Sequence, residues 1–159
     1  MIVVRNINST DNLDFLYDTL YMDLVRHHSE LNPNYKEFIE SNKDIKKIVL
    51  ASMDSPYGYV AVDNGEYVGL LIGRKWRKDI VTMDDLYVKP NYRGRGVGKA
   101  MVSRFISDSR RFHIMLLVLG ENKAVIPFYE RFGFRIVDND AKPNAVISGY
   151  LMKRKREGR

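Results

Sequence analysis

Residues 93–99 have the composition of an anion-binding turn, because they read Arg-Gly-Arg-Gly-Val-Gly-Lys. They follow a strand-like stretch, Ile80 to Val88, and precede a helical pattern from Gly98 to Arg110. Alternating glycines let backbone N–H groups converge on a ligand, while the helix N-terminus and the cationic side chains add positive charge. The turn therefore predicts a site for a phosphate-bearing ligand, and the alternative is a helix-initiating turn with solvated arginines. Its spacing is neither the GxGxxG of dinucleotide-binding folds nor the GxxxxGK[ST] of P-loops.

The composition limits the chemistry that the rest of the chain can supply. A length of 159 residues with 45% apolar residues fits one domain with a sizeable core. The absence of cysteine excludes disulfides, thiolate metal sites and a cysteine nucleophile. The adjacent residues His27 and His28 cannot chelate from one helix face, and no HxxxH or HExxH spacing occurs, so we predict no metal site.

The net charge of +6 is unevenly distributed along the chain. Residues 1–73 hold 6 Lys or Arg and 11 Asp or Glu, whereas residues 93–111 carry +5 and residues 153–159 carry +4. The last seven residues form a predicted basic tail in which no aromatic residue interleaves with the cations, so binding of nucleic acid is not favoured. No apolar run is long enough for a signal peptide or a spanning helix, and we therefore expect a soluble, cytoplasmic protein without membrane contact.

The apolar periodicity predicts an α/β (α+β) domain over residues 1–152, followed by the tail. We expect a mixed, mostly antiparallel central sheet of six to seven strands with about four helices. Helical patterns run from the cap at Ser9 to about Arg26 and from Phe38 to Val49, with a loop over residues 27–34 between them. The remaining predicted elements are strands at 2–7, 59–62, 67–72, 80–88, 113–119, 134–137 and 146–152, and helices at 98–110 and 123–132.

Read with its flanks, the turn resembles motif A of the GNAT superfamily of N-acetyltransferases, which is [Q/R]xxGxG/A after a strand ending like Leu-Tyr-Val and a proline. The chain has Leu86-Tyr87-Val88, then Pro90, then Arg93-x-x-Gly96-x-Gly98. A second family pattern, N…(F/L)Yxx(x)GF, is similar to Asn122 followed by residues 128–134, Phe-Tyr-Glu-Arg-Phe-Gly-Phe. The resemblance covers residues 57–153 by pattern and the first third only by its strand, helix, helix order, and it implies a GNAT-like single domain.

The resemblance implies acetyl coenzyme A as cosubstrate, with its pyrophosphate on the turn and its pantetheine arm along the preceding strand. It further implies that Asn122 positions the arm, that the Val88 amide stabilises the thioester oxyanion, and that Tyr129 is the general acid. Two residues depart from the family pattern: Val125 replaces a common Ala, and Pro127 is expected to bend the first turn of its helix. The residues expected to bind the cofactor are Leu86, Tyr87, Val88, Arg93, Gly94, Arg95, Gly96, Val97, Gly98, Lys99, Asn122, Phe128 and Tyr129.

The acceptor side is less fully specified. Without cysteine, direct attack of the acceptor on the thioester in a ternary complex is favoured. Adjacent strand residues point to opposite faces, so only one of Asp84 and Asp85 can face the thioester. Because family members often carry a catalytic carboxylate on the side that Asp84 shares with Thr82, we expect Asp84 to be catalytic and Asp85 to be a surface or capping residue. Glu30 and Tyr35 are weaker candidates for binding the acceptor.

The predicted function is therefore acetyl-CoA-dependent transfer of an acetyl group to a primary amine. The acceptor would be a polyamine, an aminoglycoside or other small amine, or a protein N-terminus or lysine. A non-catalytic acyl-CoA-binding sensor is the alternative. Domains of this family often pair through the ends of their sheets, so a homodimer is a further expectation.

Overall fold

A seven-stranded sheet forms the centre of the computed structural model, which describes residues 1–144 and 147–158. The strand order is β1-β2-β3-β4-β5-β7-β6, and only the β4–β5 pair is parallel among these strands. This confirms the predicted mixed, mostly antiparallel sheet. The strands are β1 (Ile2–Asn6), β2 (Gly58–Asp63), β3 (Glu66–Arg77), β4 (Ile80–Val88), β5 (His113–Leu119), β6 (Arg135–Ala141) and β7 (Gly149–Arg154).

Helices cover both faces of the sheet and create two apolar cores. The helices are α1 (Leu13–Leu16), α2 (Met22–Leu31), α3 (Pro33–Ser41), α4 (Ile45–Met53), α5 (Val97–Asp108) and α6 (Ile126–Glu130), with a π-helical turn, Tyr17–Tyr21, joining α1 to α2. The first four pack against Leu70 and Ile72 of β3, whereas α5 and α6 pack against Leu71 on the opposite face. This alternation along β3 follows from the two-residue period of a strand.

The helical first third differs from its prediction in two places. The predicted loop over residues 27–34 is largely helix, because α2 continues to Leu31. Asn32 then ends α2 with an extended backbone, and its side chain accepts a hydrogen bond from the Asn34 amide at the start of α3. The single predicted helix over 38–49 is divided at Asn42, which is extended and separates α3 from α4. Because α1, the π-helical turn and α2 form one continuous stretch, the described residues have five α-helical stretches, one more than the four expected.

The end of the chain extends the sheet further than the sequence indicates. Lys153 and Arg154, assigned to the basic tail, belong to β7 because they pair with Met115 and Ile114 of β5. The predicted last strand began at Val146, which lies outside the described residues, as does Arg159 of the tail. Over the described ranges, no helix combines the length and apolar character required to cross a membrane.

The sheet opens between β4 and β5. Their parallel pairing is limited to three residue pairs, Ile80 with His113, Val81 with Ile114 and Thr82 with Met115. Beyond these pairs β4 continues to Val88 and β5 to Leu119 without further pairing between them. The strands therefore diverge, and beyond these pairs their backbone groups are not hydrogen-bonded to each other across the gap.

Candidate active site

A cleft of about 640 Å³ occupies the gap between the diverging strands. Residues 83–88 of β4 form one wall and residues 116–119 of β5 form the other. The N-terminus of α5 closes one end, α6 lies along one side, and α2 and α3 contribute His27, His28 and Tyr35 at the other end. The cleft thus brings together the glycine turn, the two carboxylates and most of the residues predicted to bind the cofactor.

The glycine turn adopts a backbone that favours glycine. Gly94 and Gly96 have φ angles of 74° and 83°, in the left-handed region, and a side chain at either position would meet no atom within 4 Å. Gly96 caps α5, and the first helical hydrogen bond runs from the Ala100 amide to the Gly96 carbonyl at 3.0 Å. The preceding amides of α5 therefore have no partner inside the helix and are available to an anion.

The arginines of the turn have different surroundings. Arg93 lines the cleft, donates from Nε to the Val88 carbonyl at 3.0 Å, and places its guanidinium 5.5 Å from the centre of the Tyr87 ring. It therefore fixes the turn to the end of β4. Arg95, predicted to bind the cofactor, is not among the residues lining the cleft, and its guanidinium lies 4.5 Å from the centre of the Tyr92 ring. Val97, Gly98 and Lys99 line the cleft as expected.

The amide of Val88 points into the cleft. Lys89 donates its N–H to the Val68 carbonyl of β3 at 2.9 Å. Successive residues of a strand direct their N–H groups to opposite edges, so the Val88 N–H is directed away from β3. The Val88 carbonyl lies on the same edge, where it accepts the Arg93 hydrogen bond. Leu86 and Val88 thus present backbone groups to the cleft.

Tyr129 lies on α6 and lines the cleft beside Phe128. The irregular segment that carries Asn122 directly precedes α6 and also lines the cleft. Asn122 interrupts a 3₁₀ turn, Gly120–Val125, with φ −109° and ψ 23°. Pro127 lies in the first turn of α6, which begins at Ile126, and the non-helical residue of this segment is Asn122 rather than Pro127. Burial and, to a smaller extent, the charge of Asp85 raise the pKa of Tyr129 to about 12. Its phenol therefore remains protonated at neutral pH.

A β-bulge at Asp84 determines which carboxylate faces which side. Ile72 of β3 pairs with Asp85 whereas Gly73 pairs with Met83, so β4 has one extra residue at Asp84. Met83 and Leu86 pack in the same core although three positions separate them, so the alternation from Thr82 is broken and Asp85, rather than Asp84, shares the face of Thr82. Tyr87 lies on this face too, which packs against α1–α4.

The two carboxyl groups consequently have different environments. Asp84 is 31% exposed and pairs with Arg74 at 3.2 Å. Asp85 is not the surface residue that was expected: it lines the cleft, and burial together with the charge of Asp84 raises the pKa of its carboxyl to about 7. The charge of Asp85 also contributes, after burial, to the raised pKa of Tyr21, Tyr35 and Tyr129. Asp85 is therefore close to half ionised at neutral pH.

The acceptor end of the cleft contains one residue that was predicted and one that was missed. Tyr35 lines the cleft as expected, whereas Glu30 is exposed and lies outside the cleft lining. His28 packs edge-on against Tyr35, with ring centres 5.0 Å apart, and its buried Nδ1 has no hydrogen-bond partner among the described residues. Burial lowers the pKa of His28 to about 4, so the ring is neutral. No signal in the sequence pointed to His28 beyond its place in a histidine pair, which was interpreted as exposed.

A sheet opened between β4 and β5, with a glycine turn at the opening, fits a phosphate-bearing ligand, and comparison with known proteins identifies the family. The family model described as acetyltransferase (GNAT) family matches residues 16–134. The chain belongs to this family, which confirms the resemblance detected in the motifs.

The curated relatives are distant, and one of them matches almost the whole chain. An uncharacterized N-acetyltransferase of Methanocaldococcus jannaschii is 27% identical over 161 residues, covering 96% of this chain and 66% of the relative. The chain spans about two thirds or less of the length of the curated relatives it matches.

Two solved structures share the fold. One is the PaiA N-acetyltransferase of Thermoplasma acidophilum in complex with coenzyme A, with a TM-score of 0.73, 18% identity, and coverage of 98% of this chain and 99% of that one. The other is Arabidopsis thaliana Naa50 in complex with the bisubstrate analogue CoA-Ac-MVNAL, with a TM-score of 0.68, 21% identity, and coverage of 97% and 98%.

Proposed function

We propose that the chain is an acetyl-CoA-dependent N-acetyltransferase that transfers the acetyl group directly to a primary amine. The observation that carries the proposal is the cleft between β4 and β5, which runs from the free amides of α5 to Asp85 and Tyr129. Membership of the acetyltransferase family supports the reaction class, and the fold shared with a coenzyme A complex supports the donor.

The residues of the cleft fit the phosphates and the arm of this donor. The open space beside Gly94 and Gly96 admits a ligand to the backbone amides, and Lys99 adds a formal charge. Leu86 and Val88 offer edge amides to the peptide-like pantetheine arm, with Asn122 and Phe128 on the opposite side. The donor would therefore replace the missing β4–β5 hydrogen bonds over this stretch.

The chemistry requires an unprotonated amine and a protonated leaving group. An alkyl amine with a pKa near 10.4 is only about 0.04% neutral at pH 7, a cost of about 4.6 kcal/mol. We assign Asp85 as the base that takes this proton, because its carboxyl faces the acceptor end and has a pKa of about 7, whereas Asp84 is paired with Arg74.

The amine nitrogen then attacks the thioester carbonyl carbon, and the Val88 N–H stabilises the negative oxygen that develops. As the tetrahedral intermediate collapses, the C–S bond breaks and the Tyr129 hydroxyl protonates the thiolate, while the nitrogen gives up its second proton as the amide forms and this proton restores the Tyr129 phenol.

The acceptor end favours a cationic amine on a small molecule or at a protein N-terminus. Asp85 provides a negative charge there, and His28 and Tyr35 provide neutral polar and aromatic surface. The shared fold with an enzyme bound to a peptide bisubstrate analogue supports an N-terminal acceptor, while polyamines and other small amines fit the same charge.

The test is thiol release from acetyl-CoA against a panel of polyamines, aminoglycosides, amino acids and peptides. We expect release with at least one amine, and we expect Tyr129→Phe to lower kcat by about 10² to 10⁴-fold with unchanged binding of coenzyme A. Tyr57→Phe is the matched control, because Tyr57 packs against Phe105 away from the cleft lining. Binding of acetyl-CoA without release for any amine would contradict the proposal and identify a non-catalytic acyl-CoA sensor.

A further inference from the structure

A second cavity, of about 610 Å³, adjoins the cleft where β4 and β5 begin to diverge. We call it the side cavity. Thr82 lines it and lies on the same face of β4 as Asp85. The side cavity therefore lies beside the proposed base. The residues that it shares with the lining of the cleft are Met83, Asp84, Leu116 and Leu117.

The floor of the side cavity is apolar and is not covered by a helix. Leu117 of β5 and Leu151 of β7 both line it, and they stand opposite each other in the sheet, so their side chains share a face. Trp76 near the end of β3 also lines it and is 51% exposed. No residue of α1–α4 is part of its lining. Large apolar side chains that are exposed together in a concave site are typical of a binding surface.

The formal charges in the lining of the side cavity cancel. Arg74 and Lys142 contribute two positive charges, and Asp84 and Asp138 contribute two negative ones. Arg74 pairs with Asp84 at 3.2 Å, and Lys142 pairs with Asp140 at 3.6 Å. The side cavity therefore offers no excess negative charge to the additional ammonium groups of a polyamine or an aminoglycoside.

The distance from the base to Trp76 determines which acceptors can use both. Asp85 pairs with Ile72, and Trp76 lies four residues further along β3, which is about 13 Å at about 3.3 Å per residue. An extended peptide covers this distance with about four residues. An amine that carries a single short aromatic group does not reach so far.

We propose that the side cavity holds the residues that follow the acceptor amine, and that the acceptor is a peptide or protein N-terminus with large apolar side chains among its first four residues. This inference rests on the proposed acetyl transfer and narrows its acceptor. The amine lies at Asp85, one apolar side chain packs on Leu117 and Leu151, and a later one packs on Trp76. Trp76 is therefore a specificity-determining residue that takes no part in the chemistry.

The proposal is tested by thiol release with two amidated pentapeptides of equal charge, Ala-Leu-Phe-Leu-Gly and Ala-Ser-Asn-Ser-Gly. We expect kcat/KM to be about 10- to 150-fold higher for the apolar peptide, which is the effect of burying one large apolar side chain. Trp76→Ala should lower kcat/KM for the apolar peptide about tenfold, through KM, and should leave the polar peptide unchanged. Trp76→Phe should retain most of the preference.

A second measurement reports binding without turnover. Trp76 is the only tryptophan of the chain, so the fluorescence of the protein reports on this position. With coenzyme A present at saturation, we expect the apolar peptide, and not the polar one, to shift the emission to shorter wavelength. The matched control for the kinetics is Phe15→Ala, which removes a ring of the same 51% exposure from α1, outside the linings of the cleft and the side cavity.

Equal kcat/KM for the two peptides would overturn the proposal, as would a preference that survives in Trp76→Ala or falls equally in Phe15→Ala. Higher kcat/KM for spermidine or phenethylamine than for the apolar peptide would also overturn it, because the acceptor would then be a small amine, while the proposed reaction would stand. Absence of thiol release with every amine would contradict the proposed function together with this inference. The two failures are therefore distinguishable.

Discussion

At the scale of single residues, the carboxyl group of Asp85 lies where ionisation is unfavourable. Its charge contributes to the raised pKa of Tyr21, Tyr35 and Tyr129. None of the described residues forms an ion pair with Asp85, whereas the neighbouring Asp84 forms one with Arg74. A carboxyl with a pKa of about 7 is ionised in about half of the molecules at neutral pH. It can therefore accept and release a proton in each turnover.

We expect Asp85→Asn to lower kcat by about 10² to 10⁴-fold, because the amine then loses its base. In the unsubstituted enzyme, kcat should rise with pH through an inflection near 7, as Asp85 ionises, and this inflection should be absent in the variant. The measurement is a pH profile of thiol release. Asp84→Asn is the control and should lose less than about tenfold. A larger loss of kcat in Asp84→Asn than in Asp85→Asn would indicate that Asp84 is the base.

The same residue should make stability depend on pH. The folded-state pKa of about 7 lies above the ordinary pKa of 3.8 of an aspartate, so the ionised form destabilises the fold. This cost is absent below about pH 4, grows between about pH 4 and pH 7, and is constant above pH 7. We expect Asp85→Asn to melt at a higher temperature than the unsubstituted protein at pH 8 and at the same temperature at pH 3.5. Asp54→Asn, which replaces an exposed carboxyl after α4, should not show this pH-dependent difference in melting temperature.

At the scale of elements, the role of the glycine turn before α5 in binding can be tested by comparison with a glycine that has a similar backbone conformation elsewhere in the chain. Gly96 and Gly65 both have φ near 85°, and a Cβ at either would meet no atom within 4 Å. Ala at either position should therefore cost a similar 1 to 2 kcal/mol, roughly, of backbone strain. We expect only Gly96→Ala to weaken coenzyme A binding, measured by calorimetry, because Gly65 lies in the β2–β3 hairpin. Equal loss of binding in both variants would show that it reflects stability alone.

The elements that the sequence predicted well are those with a strong local signal. β4 and β5 have the predicted bounds, because an apolar run ends at Pro90 in one case and at Gly120 in the other. Local pattern did not reveal that β3 continues to Arg77, since its last four residues are exposed and three of them are cationic. The bulge at Asp84 was also hidden, because it depends on how β4 pairs with β3. Most residues that line the cleft around the glycine turn were thus predictable from local pattern, whereas the choice between the two carboxylates required the pairing.

At the scale of the whole molecule, the sheet consists of two parts, β1–β4 and β5–β7, joined by three residue pairs. A ligand in the cleft would connect the two parts beyond these pairs. Saturation at 100 times Kd stabilises a protein by about 2.7 kcal/mol, or about 5 to 11 °C for a domain of this size. We expect coenzyme A to raise the melting temperature by this amount.

Coenzyme A should also slow amide exchange in β4 after Thr82 and in β5 after Met115, measured by hydrogen exchange with mass spectrometry. Pantetheine, which lacks the pyrophosphate, should have a smaller effect on both measurements. Protection confined to the helices α1–α4 would contradict the assignment of the cleft to the donor.

The extra residue in β4 uncouples position along the strand from the face that a side chain occupies. A relative with a regular strand would present to the acceptor side the residue that aligns with Asp84. Two enzymes could therefore keep the same proton acceptor in space while their carboxylates stand in neighbouring alignment columns. Column-by-column comparison would record such a base as lost in one of them, and only a comparison of strand pairing would recover it.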